Sequence, residues 1–542
     1  MAPSRIFSIG PTRASFWYWA GAGLVAAGLF ETQLLPCVDY PQHLALAGVG
    51  RRLFAPDAPE HAAYTLNVFT YNGLFHLLVA ALSKAMPLEL AGRIVVAGSL
   101  LALAGAVLAL VRALDKPDWC AALFTPALFS FSAGWGFVNY VLATAIAAWA
   151  LVFVVRSARH PTAPSLVAVG ALGLACASAH VLAMLVLCAM GAAAAIETAL
   201  RSAGPAPPGG RRVIRAARRA ALALAPLLAG CLYCLAVYRR QYEWDPGRYR
   251  DPALEGTGPP LWKKAALFTA YTTGLLRDVT DQILVGLAIA LVAWVSVRAL
   301  RSAGRDGPRP GAPGSLVAPL AVALAGYLAT PMVLVGTHLV FPRLGQWVVL
   351  GAVLAVPQVP PTLAARASAW ALRLGAAAGL NLALHCAAFE WETHDASAVI
   401  DDLPEGRAAT AVVWEPETRS FRNGVLTHLA GYYGARKQGS WSFSFARYLS
   451  VPVRFRPEAQ PRWPARGWEG AAAAAYDPRC HYARAFPIVI VAAPADAPRD
   501  ERASGAVREL VFARDAAAVR LLSHHGRFWA FDTTGLPDDG ER

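Results

Sequence analysis

The feature that constrains this chain most is a series of long apolar runs with almost no charge, separated by short arginine-rich bridges. Of the 542 residues, 56% are hydrophobic and only 15% are charged. Soluble domains carry roughly 25% charged residues. An apolar run of about 20 residues has the length of a helix that crosses a bilayer. The pattern therefore predicts a polytopic membrane protein, built mainly from transmembrane α-helices, with the lipid bilayer as its surroundings.

The chain contains about 11–13 candidate spans, several of them shorter than the roughly 20 residues of a straight crossing. Two short runs follow each other directly at 165–180 and 181–198, which favours either two spans or a broken, buried hairpin. The weakly apolar stretch 262–277 is expected along the membrane interface. The predicted spans are 16–36, 68–85, 93–113, 119–134, 138–156, 165–180, 181–198, 219–238, 282–300, 315–336, 346–361 and 373–389.

Arginine placement predicts the orientation of the spans, because cytoplasmic loops of membrane proteins are enriched in Lys and Arg. The segment 201–220 carries six Arg and no acid, and the segment 298–311 carries four Arg and one acid. Both are predicted to be cytoplasmic, as is the bridge 362–372, which makes the tail after the last span extracytoplasmic. If the N-terminus is cytoplasmic, the predicted spans between 37 and 165 are one too many or one too few to match the orientation of the later loops. We place the first loop outside.

Two other classes of protein are not supported. A net charge of +14 is compatible with nucleic-acid binding, but the Arg residues lie in short loops, where membrane orientation requires them. The chain has no GxxxxGK[ST] motif, so transport driven by a phosphate-binding loop of its own is not expected. Cys231 and Cys234 lie inside an apolar run without a second pair, which favours helix packing over a zinc or redox site.

The tail has a different character from the rest of the chain. We predict a transmembrane domain over 1–390 and a separate extracytoplasmic α/β or α+β domain over 391–542. The apolar runs of the tail are short and strand-like, and about 150 residues suffice to bury a core. Strands are predicted at 409–415, 448–455, 487–493 and 508–514, and a helix at 515–525 before GRFWAFDT (526–533).

The stretch LLPCVDYPQHLALAG (34–48) places Asp39 and His43 one helical turn apart, where an apolar run ends. One interpretation is structural: Asp39 caps an amphipathic helix that has Pro41 at an early position. The other is chemical: Asp39 and His43 form a catalytic pair, with a general base or a metal ligand beside a cavity at the outer leaflet. The two interpretations are compatible, and both are kept.

A wider resemblance supports the chemical interpretation. An N-terminal span, an acidic residue in the first external loop, an amphipathic helix, many short spans and an external soluble domain form a layout that resembles the GT-C class of membrane glycosyltransferases. VDYPQHLALAG (38–48) is similar to a D-x-P-x-H-x-x-x-A first-loop motif of uncharacterised bacterial members. The resemblance covers 16–390 as architecture and 39–47 as motif. By this likeness Asp39 stands in the place of the catalytic carboxylate.

The same resemblance implies a substrate and a location. The donor would be a polyprenyl-phosphate-linked sugar, and the acceptor a glycan, lipid or protein of the cell envelope. Transfer would take place on the outer side of the bacterial inner membrane. Attack at the anomeric carbon needs a base for the acceptor's proton, and the departing phosphate needs positive charge.

Several polar residues near span boundaries are candidates for holding the donor. Arg343 and His338 share the loop THLVFPRLGQW (337–347); Arg343 is the predicted phosphate ligand, with a snorkelling interfacial Arg as the alternative. His180 and Asn139 also lie at span boundaries, where substrate binding and helix–helix hydrogen bonding are both possible roles. Tyr40, next to Asp39, is a further substrate-binding candidate.

The sequence leaves metal dependence undecided. Many members of the GT-C class carry a second acidic residue, often as an acidic pair that binds a metal, whereas GWGFVNY (134–140) has no acid. If a divalent metal ion is a cofactor, Asp39 is its predicted ligand. The loop 239–260 mixes Arg with four acids and is predicted to be a solvated loop or a lid over a ligand.

Three functions follow from these observations. The first is a membrane glycosyltransferase, transferring a hexose or a pentose. The second is a transporter or flippase for a lipid-linked substrate, although the chain lacks the internal symmetry that many transporters show. The third is a non-catalytic envelope assembly protein on a degenerate GT-C scaffold, which the missing second acid favours.

Overall fold

The computed structural model describes residues 12–202, 211–244, 256–306, 315–334, 337–448, 450–461, 468, 470–478, 485–494, 496, 500 and 504–536. The centre of the predicted lid, 245–255, lies outside these residues, as do parts of the two Arg-rich loops at 203–210 and 307–314.

Helices dominate the described residues, which confirms the mainly α fold class. Most of them consist of Ala, Leu and Val runs with few charges. Such side chains can face lipid, and the helix itself pairs the backbone N–H and C=O groups. In chain order they are α1 (Arg13–Gly28), α2 (Tyr40–Arg52), α3 (Leu74–Leu82), α4 (Leu88–Ala113), α5 (Trp119–Ala122), α6 (Phe131–Gly134), α7 (Val138–Arg159), α8 (Ala163–Ala179), α9 (Val181–Ser202), α10 (Arg211–Leu224), α11 (Leu228–Trp244), α12 (Leu261–Ala266), α13 (Phe268–Thr272), α14 (Thr280–Asp306), α15 (Ala318–Ala329), α16 (Gly345–Ala355), α17 (Pro361–Asp401), α18 (Leu429–Lys437) and α19 (Ser504–Phe512).

Within the described part of the chain, six helical stretches are long and apolar enough to cross a membrane. This supports a multi-pass membrane protein. Shorter apolar helices coincide with further predicted spans at Trp119–Gly134, Ala163–Ala179, Ala318–Ala329 and Phe341–Ala355. The six long stretches are Leu88–Ala113, Val138–Arg159, Val181–Ser202, Val213–Gln241, Thr280–Arg301 and Pro361–Asp401.

The predicted span at 68–85 is wrong as a single crossing. Only Leu74–Leu82 is helical there, and its nine residues rise about 13 Å at 1.5 Å per residue, far less than a bilayer. The preceding Asn72–Gly73 pair is a turn signal that starts the helix late. The run at 165–198, by contrast, is a broken helix pair, because α8 ends at Ala179 and His180 is extended before α9 begins.

The chain divides into two compact units, each assembled from three segments. The first unit comprises Met1–Gly28, Val96–Ser132 and Asn139–Leu384. The second comprises Leu29–Val95, Ala133–Val138 and His385–Arg542. The second unit therefore contains the predicted first loop with Asp39 as well as the strands of the tail. A domain boundary near residue 390 stays a prediction.

The second unit contains a five-stranded mixed sheet and a two-stranded ribbon. The sheet has the order β3-β2-β5-β7-β6, with β2 parallel to both β3 and β5, and β7 antiparallel to both β5 and β6. The ribbon pairs β1 with β4, opposing Tyr64 to Phe455. The strands are β1 (Tyr64–Leu66), β2 (Ala408–Val413), β3 (Ser440–Trp441), β4 (Val453–Phe455), β5 (Ile488–Ala492), β6 (Arg520–His525) and β7 (Phe528–Asp532).

The tail predictions are confirmed for the strands at 409–415 and 487–493 and are wrong for two neighbouring segments. The predicted strand at 508–514 lies mostly in α19, where Val507 and Val511, four residues apart, share the buried face. The predicted helix at 515–525 ends in β6, which pairs with β7 through a bulge at Leu521. Hairpin pairing with β7, which follows after only two residues, outweighs the helical preference of the Ala-rich start of that segment.

Candidate functional site

Asp39 occupies the position before α2, but its side chain makes no capping hydrogen bond. The capping interpretation is therefore wrong for the carboxylate, although Pro41 lies at an early helical position as expected. Asp39 instead places Oδ1 3.3 Å from Nε2 of His428, and the two side chains are only 17% and 10% exposed. His428 immediately precedes α18, so the contact joins residues 389 positions apart.

The helix α2 is buried along almost its whole length rather than amphipathic. It packs against α3 and α18 within the second unit. The approach of α18 is close at Gly431, where an added Cβ would lie 2.8 Å from the carbonyl carbon of Pro41. Small residues at such contacts let two helix backbones come together. This packing is what brings His428 to Asp39.

The segment around Gly134 holds the backbone of Asp39 in place. Val38 donates its N–H to the carbonyl of Gly134 (3.1 Å), and Asp39 donates to that of Trp135 (3.0 Å). Asn423 Nδ2 donates to the same Gly134 carbonyl (2.6 Å). Gly136 has φ +75, and a Cβ there would lie 2.6 Å from the backbone nitrogens of both Asp39 and Tyr40. The GWG part of the motif therefore shapes the site through its backbone.

His428 is held from its other side by Gln42, one turn into α2. Gln42 Nε2 lies 3.2 Å from His428 Nδ1. Gln42 Oε1 accepts hydrogen bonds from the indole N–H of Trp441 (2.6 Å) and from the backbone N–H of Phe445 (3.3 Å). The Phe445 ring meets the rings of both His428 and His43 edge to face, at centroid distances of 5.4 and 5.5 Å. We call Asp39, Gln42, His43, His76 and His428 the acid–imidazole cluster.

His43 belongs to a second chain of hydrogen bonds in this cluster. Its Nδ1 lies 3.2 Å from Nε2 of His76, and His76 Nδ1 lies 3.0 Å from the carbonyl oxygen of Asn72. A carbonyl only accepts, so His76 carries its proton on Nδ1 and accepts through Nε2. Burial lowers the pKa of His76 to about 4, which keeps it neutral at pH 7. His43 therefore donates a hydrogen from Nδ1 to His76.

Tyr40 is a core residue of the second unit. It is 1% exposed, and its ring lies 6.3 Å from that of Tyr432. Its hydroxyl has no hydrogen-bond partner among the residues that the structure describes. Binding of substrate by Tyr40 stays a prediction.

The first unit brings Arg343 and His180 together. Arg343 is 7% exposed; its Nε donates to the carbonyl of Leu339 (3.2 Å) and its Nη2 to that of His338 (3.0 Å). Nη1 lies 3.3 Å from His180 Nε2. Tyr140 packs against both side chains and donates its hydroxyl to the Arg343 carbonyl (2.9 Å). This buried, backbone-braced guanidinium is not the snorkelling arrangement of an interfacial Arg.

The hydrogen bonds of His180 create an unusual arrangement. The backbone N–H of Leu182 donates to His180 Nδ1 (3.1 Å), so a neutral His180 carries its hydrogen on Nε2. That N–H faces Nη1 of Arg343, which can also only donate. These two donor nitrogens lie 3.3 Å apart, an arrangement that suits an acceptor oxygen bearing negative charge.

The other two predicted residues of this unit differ in environment. His338 is exposed and contributes its carbonyl to Arg343. Asn139 is 4% exposed, and its Oδ1 has no partner among the described residues. Asp39 and His43 lie in the second unit, whereas Arg343, His180, His338 and Asn139 lie in the first.

A divalent metal does not fit the donor set around Asp39. Within the described ranges, no group of three or more His, Cys, Asp or Glu side chains is arranged to hold a metal ion. Mg²⁺ and Ca²⁺ prefer several oxygen ligands, and His428 already faces Oδ1 of Asp39. The proposed reaction therefore uses side chains of the protein alone.

Sequence reasoning missed His428 and His76. His428 lies in NGVLTHLAGYYGARKQGSWSFSF (423–445), which its Tyr, Trp, Gly and Arg content marks only as a possible carbohydrate-binding loop. His76 lies two residues into an apolar helix, where a single His has no pattern to distinguish it. A polar residue in an apolar run was the available signal in both cases.

The fold, the acid–imidazole cluster and the Arg343–His180 pair define a multi-pass helical membrane protein with a buried carboxylate–imidazole site. No protein-family model and no curated protein matches the chain. It is similar to the crystal structure of ArnT from Cupriavidus metallidurans bound to undecaprenyl phosphate, with 12% identity, a TM-score of 0.48, and coverage of 97% of this chain and 99% of that chain. For ArnT from the same organism in the apo state, the identity is 11%, the TM-score 0.49, and the coverage 96% and 97%.

Proposed function

We propose that this protein is a membrane glycosyltransferase of the GT-C type that moves a sugar from a polyprenyl-phosphate carrier to a cell-envelope acceptor. The observation that carries the proposal is the Asp39 carboxylate, which is nearly buried and has Oδ1 3.3 Å from His428 Nε2, together with the six membrane-capable helices in the described part of the chain. A buried ionisable group in a membrane protein is costly and is usually retained for function. The first-loop motif around Asp39 is the second support.

Asp39 acts as the general base in this proposal. Its carboxylate takes the proton from the attacking hydroxyl or amine of the acceptor. The acceptor atom forms a bond to the anomeric carbon as the bond from that carbon to the phosphate oxygen breaks. The electron pair of the broken bond leaves with the carrier phosphate, and the proton remains on Asp39 until it is released to water.

Arg343 and His180 bind the carrier phosphate. Nη1 of Arg343 and Nε2 of His180 lie 3.3 Å apart, close enough for one phosphate oxygen to accept from both. Tyr140 and the carbonyls of Leu339 and His338 hold the guanidinium in this orientation. Charge-assisted bonds of this kind are the stronger ones in proteins. His338, Asn139 and Tyr40 are further candidates for binding the substrate.

The reaction takes place on the outer side of the bacterial inner membrane. The Arg-rich segments 201–220 and 298–311 lie in the cytoplasm, and the tail beyond residue 390 is extracytoplasmic. A reporter fused after residue 400 tests this orientation. Reporter activity in the cytoplasm would overturn it.

The decisive experiment uses the purified full chain with polyprenyl-phosphate sugars that carry a radiolabelled hexose or pentose, together with envelope extracts as acceptor. Asp39→Asn should lower transfer by roughly a hundredfold or more, the usual contribution of a general base. Asp57→Asn, an exposed carboxylate in the same unit, is the matched control and should transfer normally. Equal activity of Asp39→Asn and wild type would refute the assignment of Asp39.

A second arm separates transfer from transport. If the wild type moves the lipid-linked sugar across proteoliposome membranes without forming product, the protein is a flippase. If it neither transfers nor moves the sugar, the non-catalytic assembly role stands. Either result would refute the proposed activity.

A further inference from the structure

The acid–imidazole cluster contains a pair of residues that controls the hydrogen bonding of Asp39, and this inference rests on the proposed function. The first step is the orientation of the Gln42 amide. Trp441 Nε1 and the backbone nitrogen of Phe445 are pure donors, and both point at one end of the amide, at 2.6 and 3.3 Å. That end must be Oε1, because an amide NH₂ cannot accept.

The second step concerns the proton on His428. With Oε1 engaged, Gln42 presents its NH₂ to His428 Nδ1 at 3.2 Å. Nδ1 therefore accepts and carries no hydrogen. A neutral imidazole then has its hydrogen on Nε2, which lies 3.3 Å from Asp39 Oδ1. The contact between His428 and Asp39 is thus an N–H donated to a carboxylate, rather than an ion pair.

The third step is that the surroundings resist a second proton on His428. An imidazolium would set an Nδ1–H against the amide NH₂, and Gln42 is 1% exposed while the His428 side chain is 10% exposed. Neither group can turn to water to relieve that contact. Buried donors without acceptors are costly. The geometry keeps His428 neutral.

We propose that Gln42 and His428 are positioning residues for Asp39: Gln42 fixes His428 as a neutral Nε2–H donor, and His428 holds one carboxylate oxygen. With Oδ1 held by His428, the second carboxylate oxygen of Asp39 is Oδ2. It is the oxygen that takes the acceptor's proton.

The direct test is the ¹⁵N spectrum of protein labelled only at histidine, with His428→Asn identifying the signals of His428 by their loss. The wild type should show His428 as a neutral imidazole protonated on Nε2. Gln42→Glu keeps the acceptor for Trp441 and Phe445 but replaces the NH₂ with an oxygen, so Nδ1 of His428 should gain a hydrogen. A wild-type His428 that is an imidazolium, or is protonated only on Nδ1, would overturn the inference.

Kinetics test the positioning role. His428→Ala should lower kcat by about tenfold to a hundredfold with little change in the KM for the donor, since a hydrogen bond to a charged group is lost. His428→Asn retains an N–H donor and should recover part of that loss. Equal losses for Ala and Asn would contradict a positioning role. Gln33→Glu, the same change at an exposed position of the second unit, should have no effect.

The two arms separate this inference from the proposed function. The spectrum needs no activity, so a neutral, Nε2-protonated His428 in a protein that transfers no sugar would leave the hydrogen bonding in place and refute the glycosyltransferase. If transfer depends on Asp39 but His428 in the wild type is an imidazolium, the glycosyltransferase activity stands and the proposed hydrogen bonding is refuted.

Discussion

Replacing Gly136 with Ala tests how the site is built, because this glycine combines two constraints. Its φ of +75 is a conformation that residues with a Cβ rarely adopt, and the added Cβ would lie 2.6 Å from the backbone nitrogens of Asp39 and Tyr40. These neighbours are main-chain atoms, held by hydrogen bonds to the carbonyl groups of Trp135 and Cys37. They cannot rotate away as the end of a flexible side chain can.

A second glycine separates the two costs. Gly406 has φ +72, and nothing lies within 4 Å of a Cβ built there. Gly406→Ala should therefore cost only the backbone strain, about 1–2 kcal/mol. Gly136→Ala carries the same strain plus the collision, which at the usual cost of overpacking adds about 1–3 kcal/mol. The difference between the two variants is the quantity that the structure predicts.

Thermal unfolding of the detergent-purified protein, followed by tryptophan fluorescence, measures this difference. At about 2–4 °C per kcal/mol for a unit of this size, Gly136→Ala should melt several degrees below Gly406→Ala. Transfer activity should fall in Gly136→Ala alone, because only that Cβ pushes on the backbone of Asp39. If the two variants melted at the same temperature, the close approach of Gly136 to Asp39 would be wrong.

Three further predictions follow from individual side chains. Burial depresses the pKa of His76 to about 4, so the unfolded chain binds more protons than the folded chain below about pH 6.5. Roughly 3 kcal/mol of folding stability should therefore be lost as the pH falls from 6.5 to 4. Urea titrations should show this decrease of stability with pH in the wild type and a smaller decrease in His76→Phe. Arg436, whose side chain is 12% exposed, is paired with Glu89, so Arg436→Met should destabilise by about 3 kcal/mol or more in the same titrations. Arg343→Lys keeps the charge but loses the fork that faces His180, and it should raise the KM for the lipid-linked donor about tenfold in the transfer assay.

The sequence predicted those parts of the fold that local patterns determine. Apolar runs such as 93–113 and 138–156 became α4 and α7, and the short apolar runs at 409–415 and 487–493 became β2 and β5. Predictions failed where a hairpin partner or a turn decides the structure. The segment 515–525 has a helical composition at its start but pairs with β7, and the apolar run at 68–85 contains a turn that shortens α3.

The candidate site was predicted only in its local part. Asp39 and His43 share a helical turn, so their proximity follows from spacing alone. His428 lies hundreds of residues away in sequence and reaches Asp39 only because α18 packs closely on α2 at Gly431. No periodicity in one sequence encodes that contact. The role of Gly136 was equally hidden, since the GWG segment acts through its carbonyl groups and its lack of a Cβ.

The pattern of hydrogen bonds around Asp39 argues against a purely structural carboxylate. A buried charge that serves stability is usually paired with an opposite charge, and even such pairs are often replaceable by apolar residues without loss. In the proposed arrangement His428 faces Asp39 as a neutral donor, because Gln42 keeps Nδ1 of His428 free of a proton. Two buried polar side chains of the cluster thus orient the carboxylate without placing an opposite charge next to it. A proton acceptor needs that combination of fixed geometry and retained basicity, whereas a helix cap or a packing residue does not.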